Sequence, residues 1–330
     1  LVWAAPAQRA FSDWQVTCNN QNFCVARNTG DHNGLVMTLS RSAGAHTDAV
    51  LRIERGGLKS PDASEGEIAP RLLLDGEPLA LSGDKWRISP WLLVTDDTAT
   101  LTAFLQMIQE GKAITLRDGN QTISLSGLKA ALLFIDAQQK RVGSETAWIK
   151  KGDEPPLSVP PAPALKEVAV VNPTPTPLSL EERNDLLDYG NWRMNGLRCS
   201  LDPLRREVNV TALTDDKALM MISCEAGAYN TIDLAWIVSR KKPLASRPVR
   251  LRLPFNSGQE TNELELMNAT FDEKSRELVT LAKGRGLSDC GIQARWRFDG
   301  QRFRLVRYAA EPTCDNWHGP DAWPTLWITR

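Results

Sequence analysis

The sequence predicts a mainly β (α+β) protein, with two β-sandwich-like, disulfide-stabilised domains and a few short helices. Three observations predict it. Short apolar runs alternate with Gly, Asp and Asn turn signals; the cysteines form an even set of six; and a proline-rich stretch separates two segments of ordinary domain size. Apolar residues make up 42% and charged residues 24% of the 330, so each segment has the composition of a folded domain rather than of a disordered chain.

The first domain is expected over residues 1–150. Strands are read at Trp14 to Cys18, Cys24 to Arg27, Leu35 to Leu39, Val50 to Glu54 and Arg71 to Leu74. A hairpin, Ile114 to Arg117 with Thr122 to Leu125, turns at Asp118-Gly119. Two helices interrupt the pattern. Leu101, Phe104, Leu105 and Ile108 follow i, i+3, i+4, i+7 spacing behind an N-cap at Asp97 or Thr98, and Gly111 ends that helix. Leu128, Ala131, Leu132 and Ile135 repeat the stripe, with Ser126 in the cap position. Both stripes read as core faces.

Residues 151–178 form the linker: they hold eight of the chain's 20 prolines. An extended, polyproline-like path of about 3.1 Å per residue is expected there. Val168 to Val171 in its middle could lie on a domain as an added edge strand. The second domain, residues 179–330, opens with the capping box Ser179-Leu-Glu-Glu182 on a short helix closing at Gly190. Strands follow at Glu207 to Leu213, Ala218 to Cys224, Leu234 to Ser239, Val249 to Leu253, Glu263 to Met267 and Leu278 to Ala282. Last comes a hairpin, Ala294 to Phe298 with Gln301 to Val306, over Asp299-Gly300.

The cysteines are Cys18, Cys24, Cys199, Cys224, Cys290 and Cys314. Sequential pairing is the simplest of fifteen connectivities, and it would stabilise each of the two longer loops by roughly 3 kcal/mol on the chain-entropy account. No C-x2-C pair occurs, and the chain has three histidines, so zinc ligation and thiol redox chemistry are both disfavoured. An even cysteine set points to an oxidising compartment. Leu1-Val-Trp-Ala-Ala-Pro-Ala7 reads as the end of a cleaved signal peptide, which makes the expected location periplasmic. No apolar run approaches a transmembrane span.

The first half resembles the invasion-associated locus B family of bacterial envelope proteins. The resemblance is carried by Phe11-x-Asp13-Trp14-x-Val16-x-Cys18 with Cys24, by Gln109-Glu110-Gly111-Lys112, and by Ile123-x-Leu125-x-Gly127-Leu128-x-Ala130-Ala131. That family's familiar second cysteine pair is missing between Trp91 and Leu101. As a whole, the chain looks like a bacterial family of unknown function. That likeness is carried by the six-cysteine layout, the linker, Cys290-Gly-Ile-x-Ala-x-Trp296-x-Phe298-Asp-Gly300 and Trp317-His-Gly319. These resemblances imply an envelope location and a sandwich-like first domain, and they bring no catalytic residues.

Four features could carry function. In the last hairpin a two-residue turn would set Arg297 opposite Arg302 and Arg295 opposite Arg304. Four guanidinium groups on one face call for carboxylates nearby or a bound anion. Trp317, Trp323 and Trp327 could form an aromatic surface or belong to the core. Ser126-Gly-Leu-Lys129 fits an S-x-x-K pattern, though the accompanying K-T-G is absent and Ser126 as a helix cap explains the residue. The loop bearing Asp315, Asn316, His318 and Asp321 mixes potential ligands with ordinary turn formers.

A net charge of -1 excludes a generic polyanion binder, and the envelope setting disfavours nucleic acid. The leading expectation is a non-enzymatic envelope protein that binds a protein partner or an anionic glycan or lipid headgroup and needs no cofactor or metal. A cell-wall hydrolase or transferase and a purely structural envelope factor are the alternatives.

Overall fold

The computed structural model describes residues 5–46, 48–60, 66–81 and 84–330, so the first four residues of the leader reading lie outside the described residues. The protein is mainly β with three α-helices, and the chain divides into two compact units. Unit 1 comprises residues 1–165 and 311–328; unit 2 comprises residues 166–310 and the last two residues. The division differs from chain order in two respects. The C-terminal segment Glu311–Ile328 belongs to the first unit, and the linker is shared, with residues 151–165 in unit 1 and 166–178 in unit 2.

Unit 1 is built on an antiparallel seven-stranded sheet. Its strands are β1 (Ala7–Phe11), β2 (Trp14–Cys18), β3 (Cys24–Asn28), β4 (Leu35–Arg41), β5 (Ala49–Arg55), β8 (Arg87–Ser89) and β9 (Leu92–Thr95), in the order β1-β2-β3-β4-β5-β9-β8. A smaller sheet runs β11-β10-β6-β7, formed by β6 (Leu72–Leu74), β7 (Glu77–Pro78), β10 (Ala113–Leu116) and β11 (Thr122–Ser124). The period of two sorts the large sheet's side chains. Trp14, Val16, Ala26, Met37, Leu39, Leu51 and Ile53 enter one core with the buried stripes of α1 (Thr98–Ile108) and α2 (Leu128–Gln138). The intervening residues, among them Gln15, Thr17, Arg27, Thr38 and Arg52, take the opposite face.

Asp13 and Trp14 at β2's entry come together with the Ser124 to Gly127 segment. Trp14 Nε1 donates to Ser124 O (2.8 Å), Ser124 Oγ donates to Asp13 Oδ2 (2.6 Å), and Asp13 N donates to Ser126 O (3.1 Å). Gly127, at φ +99°, lies where a Cβ would stand 1.8 Å from Phe11 O. This close approach corrects the expected cap: Gly127, not Ser126, is the N-cap of α2, and the Ser126 hydroxyl bonds instead to Ser12 Oγ at 2.8 Å.

A buried ionic cluster closes the far side of this core. The fully buried Asp136 accepts from Arg41 Nη2 (2.7 Å) and from the amides of Trp148 (2.8 Å) and Ile149 (2.9 Å), while Arg41 stacks 3.5 Å above the Trp148 ring. Burial, only partly offset by Asp136, pulls the Arg41 guanidinium down to about 10, so it remains charged at neutral pH.

Unit 2 begins with α3 (Leu180–Asn195), whose capping box from Ser179 to Glu182 forms as the sequence predicts. The helix passes through Gly190, where a Cβ would meet Val208 Cγ1 at 2.6 Å, and ends at Gly196. Gly190 therefore serves close packing rather than termination. The helix lies on a sheet ordered β12-β13-β14-β15, formed by β12 (Val208–Ala212), β13 (Lys217–Ala226), β14 (Thr231–Ser239) and β15 (Ser246–Pro248). Its core is Leu186, Val210, Ala218, Met220, Ile222, Trp236 and Val238. β16 (Leu251–Arg252) pairs with β17 (Glu263–Leu264), and β18 (Leu266–Met267) joins β14. A further sheet runs β19 (Thr270–Asp272), β20 (Glu277–Lys283), β21 (Gly291–Phe298) and β22 (Phe303–Glu311).

Disulfides join Cys18 to Cys24, which face each other across β2 and β3, and Cys199 to Cys224; Cys290 and Cys314 are also disulfide-bonded, and no described cysteine is free. No described helix is long and apolar enough to cross a membrane.

Replacing Asp136 by Ala would leave the buried Arg41 charge without its counter-ion and two buried amides without their acceptor. The expected loss is about 3–5 kcal/mol of unfolding free energy, read from urea denaturation, with little change in the m-value.

Candidate binding cleft

The polar face of the seven-stranded sheet is not left open. The segment Glu311–Ile328 returns across it, and its strand β23 (Thr325–Trp327) lies beside β2. Asn20 anchors this segment on both sides: its amide donates to Leu326 O (3.1 Å), its side chain donates to Ile328 O (3.0 Å), and its Oδ1 accepts from Ile328 N (2.9 Å). Between sheet and segment lies a cleft of about 490 Å³. Gln15, Thr17, Val25, Arg27, Thr38, Arg52 and Glu54 form its floor, and Glu311, Trp317, His318, Ala322 and Pro324 its roof.

Arg27 fastens roof to floor. Its Nε and Nη2 donate to Glu311 Oε1 (3.2 and 2.9 Å), Nη1 and Nη2 donate to Asp315 (2.7 and 3.0 Å), and Nη1 also reaches Asn28 O (3.1 Å). All five guanidinium hydrogens can thus be engaged, and the group has none to offer a ligand. Asp315 also meets His32 Nε2 at 3.1 Å. Because His32 Nδ1 accepts from the Gly34 amide at 2.9 Å, the proton sits on Nε2 and is donated to Asp315. Both ring nitrogens being occupied, His32 is a structural clamp.

Burial works against both roof carboxylates, with different outcomes. It would raise Asp315, but hydrogen bonds from His32 and Arg27 outweigh it and hold that carboxyl below its usual range. Glu311 is raised by burial despite Arg27, Gln15 and the Thr313 amide. Burial also lowers His318, opposed by Glu54 and assisted by Arg27, so the imidazole is neutral at neutral pH.

Arg52 differs from Arg27. Its side chain is 43% exposed, and its Nε lies 3.7 Å from Glu54 Oε1, beyond hydrogen-bond reach. It lines the cleft as a partly exposed cation. Trp317 and His318, with ring centroids 4.2 Å apart, supply an aromatic wall beside it. The residues lining the cleft include no Ser, Cys or Lys.

The predicted site residues fall elsewhere or take other roles. Trp317, Trp323 and Trp327 are buried, so they form no exposed aromatic surface: a thin roof segment can stay folded only by burying its largest side chains. Trp323 Nε1 donates to His318 O at 3.0 Å, which helps to set the loop that carries the histidine.

The last hairpin has a wider turn than expected, Asp299 to Arg302. Asp299 N donates to Arg302 O (3.0 Å), and Asp299 Oδ1 accepts from the amides of Gln301 and Arg302 (2.8 Å each). The aspartate's turn chemistry thus places Arg302 inside the turn rather than opposite Arg297. Glu277 meets Arg295 at 3.3 Å and Arg297 at 3.2 Å, Asp272 lies 4.0 Å from Arg295, and Arg304 pairs with Asp299. These carboxylates supply the compensation that the clustered charges call for. Of the S-x-x-K pair, Lys129 meets Glu110 at 2.7 Å and Ser126 bonds to Ser12 at 2.8 Å.

Alternation along β2 to β5 was the sequence signal for the floor of the cleft. Nothing local indicated that residues 284 and 288 positions after Arg27 would roof it, because neither Glu311 nor Asp315 stands in a recognisable spacing with Arg27.

The chain belongs to a family described as "Protein of unknown function (DUF1176)", whose model matches residues 8–330. It is 99% identical over 330 residues to "Uncharacterized protein YpfG" of Escherichia coli (strain K12), a match covering 100% of this chain and 95% of that protein. No solved structure matches it.

A depressed Asp315 contributes stability that is fully present above the unfolded Asp value of about 3.9 and is lost as pH falls through its folded value. Urea midpoints between pH 7 and pH 2.5 should therefore fall steeply below about pH 4 in the native sequence. Asp315→Asn should start lower at pH 7 and fall less over the same acid range.

Proposed function

We propose that this protein is a non-enzymatic binding protein of the bacterial envelope that holds an anionic envelope component, through a carboxylate or phosphate group, in the cleft over the first unit's sheet. The observation that carries the proposal is the contrast between two arginines in one cleft. Arg27 is buried and saturated, whereas Arg52 is half-exposed beside the Trp317–His318 wall, and its ion pair to Glu54, at 3.7 Å, is longer than a hydrogen bond. A cation beside an aromatic wall in a concave site is an ordinary way to grip a charged head while its body packs against a ring.

Three further points support this reading. The cysteines are all oxidised, as an oxidising compartment would have them. The likeness of the first half to the invasion-associated locus B family points to the same setting. The cleft sets polar side chains such as Gln15 and Thr38 beside the Trp317–His318 wall, a mixture that suits a concave binding site. The four-arginine face is the weaker alternative, because three of its members already hydrogen-bond carboxylates: Arg295 and Arg297 with Glu277, and Arg304 with Asp299.

Titration with sn-glycerol 1-phosphate, as a headgroup probe, and with glucuronate, as a glycan probe, followed by tryptophan fluorescence, tests the proposal. At least one probe should bind, and Arg52→Ala should weaken it at least tenfold while leaving the melting temperature within about 2 °C. Equal affinity in Arg52→Ala, or no response to either anion, would sink the reading.

A further inference from the structure

The proline-rich tether is not a free spacer along its second half. Residues 166–178 belong to unit 2, although they form no strand and no helix. The edge strand expected at Val168 to Val171 is therefore absent, yet the segment is held closely. Lys166 O accepts from the Arg330 amide (2.9 Å), and Val168 O accepts from Arg297 Nη1. Thr176 O and Pro177 O accept from Arg240 Nη1 (2.7 Å) and Nη2 (3.1 Å). One amide takes part: Thr176 N donates to Asp215 Oδ1 at 2.8 Å. Val168 is buried, and Val170, Val171 and Asn172 border a small pocket with Leu213, Phe271 and Phe298.

This contact pattern has a chemical meaning. A proline offers a strong carbonyl acceptor and no amide donor, so a receptor for a proline-rich extended strand must supply donors rather than ladder partners. Unit 2 supplies two arginine side chains and a backbone amide to four tether carbonyls, and beside them apolar and aromatic side chains for the valines. That is the logic of polyproline-type recognition, in which the ligand's stiffness lowers the entropic cost of binding. Arg297 Nε is, moreover, a buried donor with no partner among the described residues, so this side of the groove retains unused hydrogen-bonding capacity.

We propose that unit 2 carries a recognition groove for extended, proline-containing peptides, and that the tether segment 166–177 is its resident, competing ligand. The groove is independent of the cleft on unit 1. A resident ligand on the same chain acts at an effective concentration on the order of millimolar, so a peptide in trans reaches the groove only when the tether is loosened or the partner is tightly matched.

The test uses the full chain and a fluorescein-labelled peptide spanning Lys166 to Pro177. Val168→Asp should loosen the tether and raise the peptide's affinity at least tenfold over the native sequence, by fluorescence anisotropy. Adding Arg297→Ala and Asp215→Ala to that variant should remove the gain, and a peptide with Pro173, Pro175 and Pro177 replaced by Ala should bind at least tenfold more weakly. Far-UV circular dichroism and an intact Cys199–Cys224 bridge, mapped by mass spectrometry, establish that each variant is folded. Arg297→Lys, which keeps the charge, provides a milder version should the alanine form fail that check. Absence of binding to a folded Val168→Asp chain overturns the proposal. So does binding that ignores the Arg297 and Asp215 changes, or binding that ignores the prolines.

Discussion

The first unit depends on one buried guanidinium. Arg27 is buried on the sheet face that forms the cleft floor, and burying it alone would be severely unfavourable. Glu311 and Asp315 neutralise it, His32 orients Asp315, and the three together require the chain's C-terminal segment to return to a sheet formed near its start. Removing either carboxylate leaves charge stranded, so the network acts less as added stability than as a condition on the register of the roof. The cleft exists because that condition holds two surfaces in fixed relation and leaves Trp317, His318 and Arg52 around the space between them.

Much of the architecture was legible in local pattern. The period of two along Trp14 to Cys18 and Leu35 to Leu39 separates core from cleft floor, and the two helical stripes enter the core as spaced. The box from Ser179 to Glu182 forms as read. Errors arose where a residue's local preference is overridden by a distant neighbour. Gly190 reads as a stop because glycine ends helices, but the strand beneath it at Val208 demands the absence of a side chain. Ser126 reads as a cap because serine caps helices, but Phe11 O comes so close that only glycine fits at the next position. An edge strand was expected at Val168 to Val171, but Arg297 claims Val168 O, a backbone acceptor that a ladder would have used.

Arginine explains why the site itself was harder to read. Clustered arginines on a strand invite an anion-binding interpretation, yet most arginines with defined partners here serve internal needs. Arg141 donates to Ser42 O and Gly44 O, Arg206 to Leu201 O and Cys199 O, and Arg276 to Ala212 O and Leu213 O. A planar fork with five donors suits backbone carbonyls in irregular connections, which short-stranded domains contain in number. Sequence cannot separate such an arginine from a ligand-binding one, because the distinction lies in whether the donors are already engaged. On that criterion Arg27, Arg41 and Arg240 are structural, and Arg52 stands apart.

The same criterion links the cleft and the tether groove. In both, an arginine organises a partner chain segment from the same molecule: Arg27 holds the roof through carboxylates, whereas Arg240 and Arg297 hold the tether through carbonyls. The chemical difference predicts different lability. Charge-assisted contacts that are sheltered from water are hard to exchange, because a competitor must leave two buried ions unmatched during the substitution. Contacts from arginine to neutral carbonyls are individually weaker than those to carboxylates, and although Arg240 is buried and paired with Glu182, a chain that presents the same carbonyl acceptors can replace the tether. A fixed roof suits a pocket whose shape must persist between ligands, and a replaceable tether suits a groove that must be vacated before it can be used.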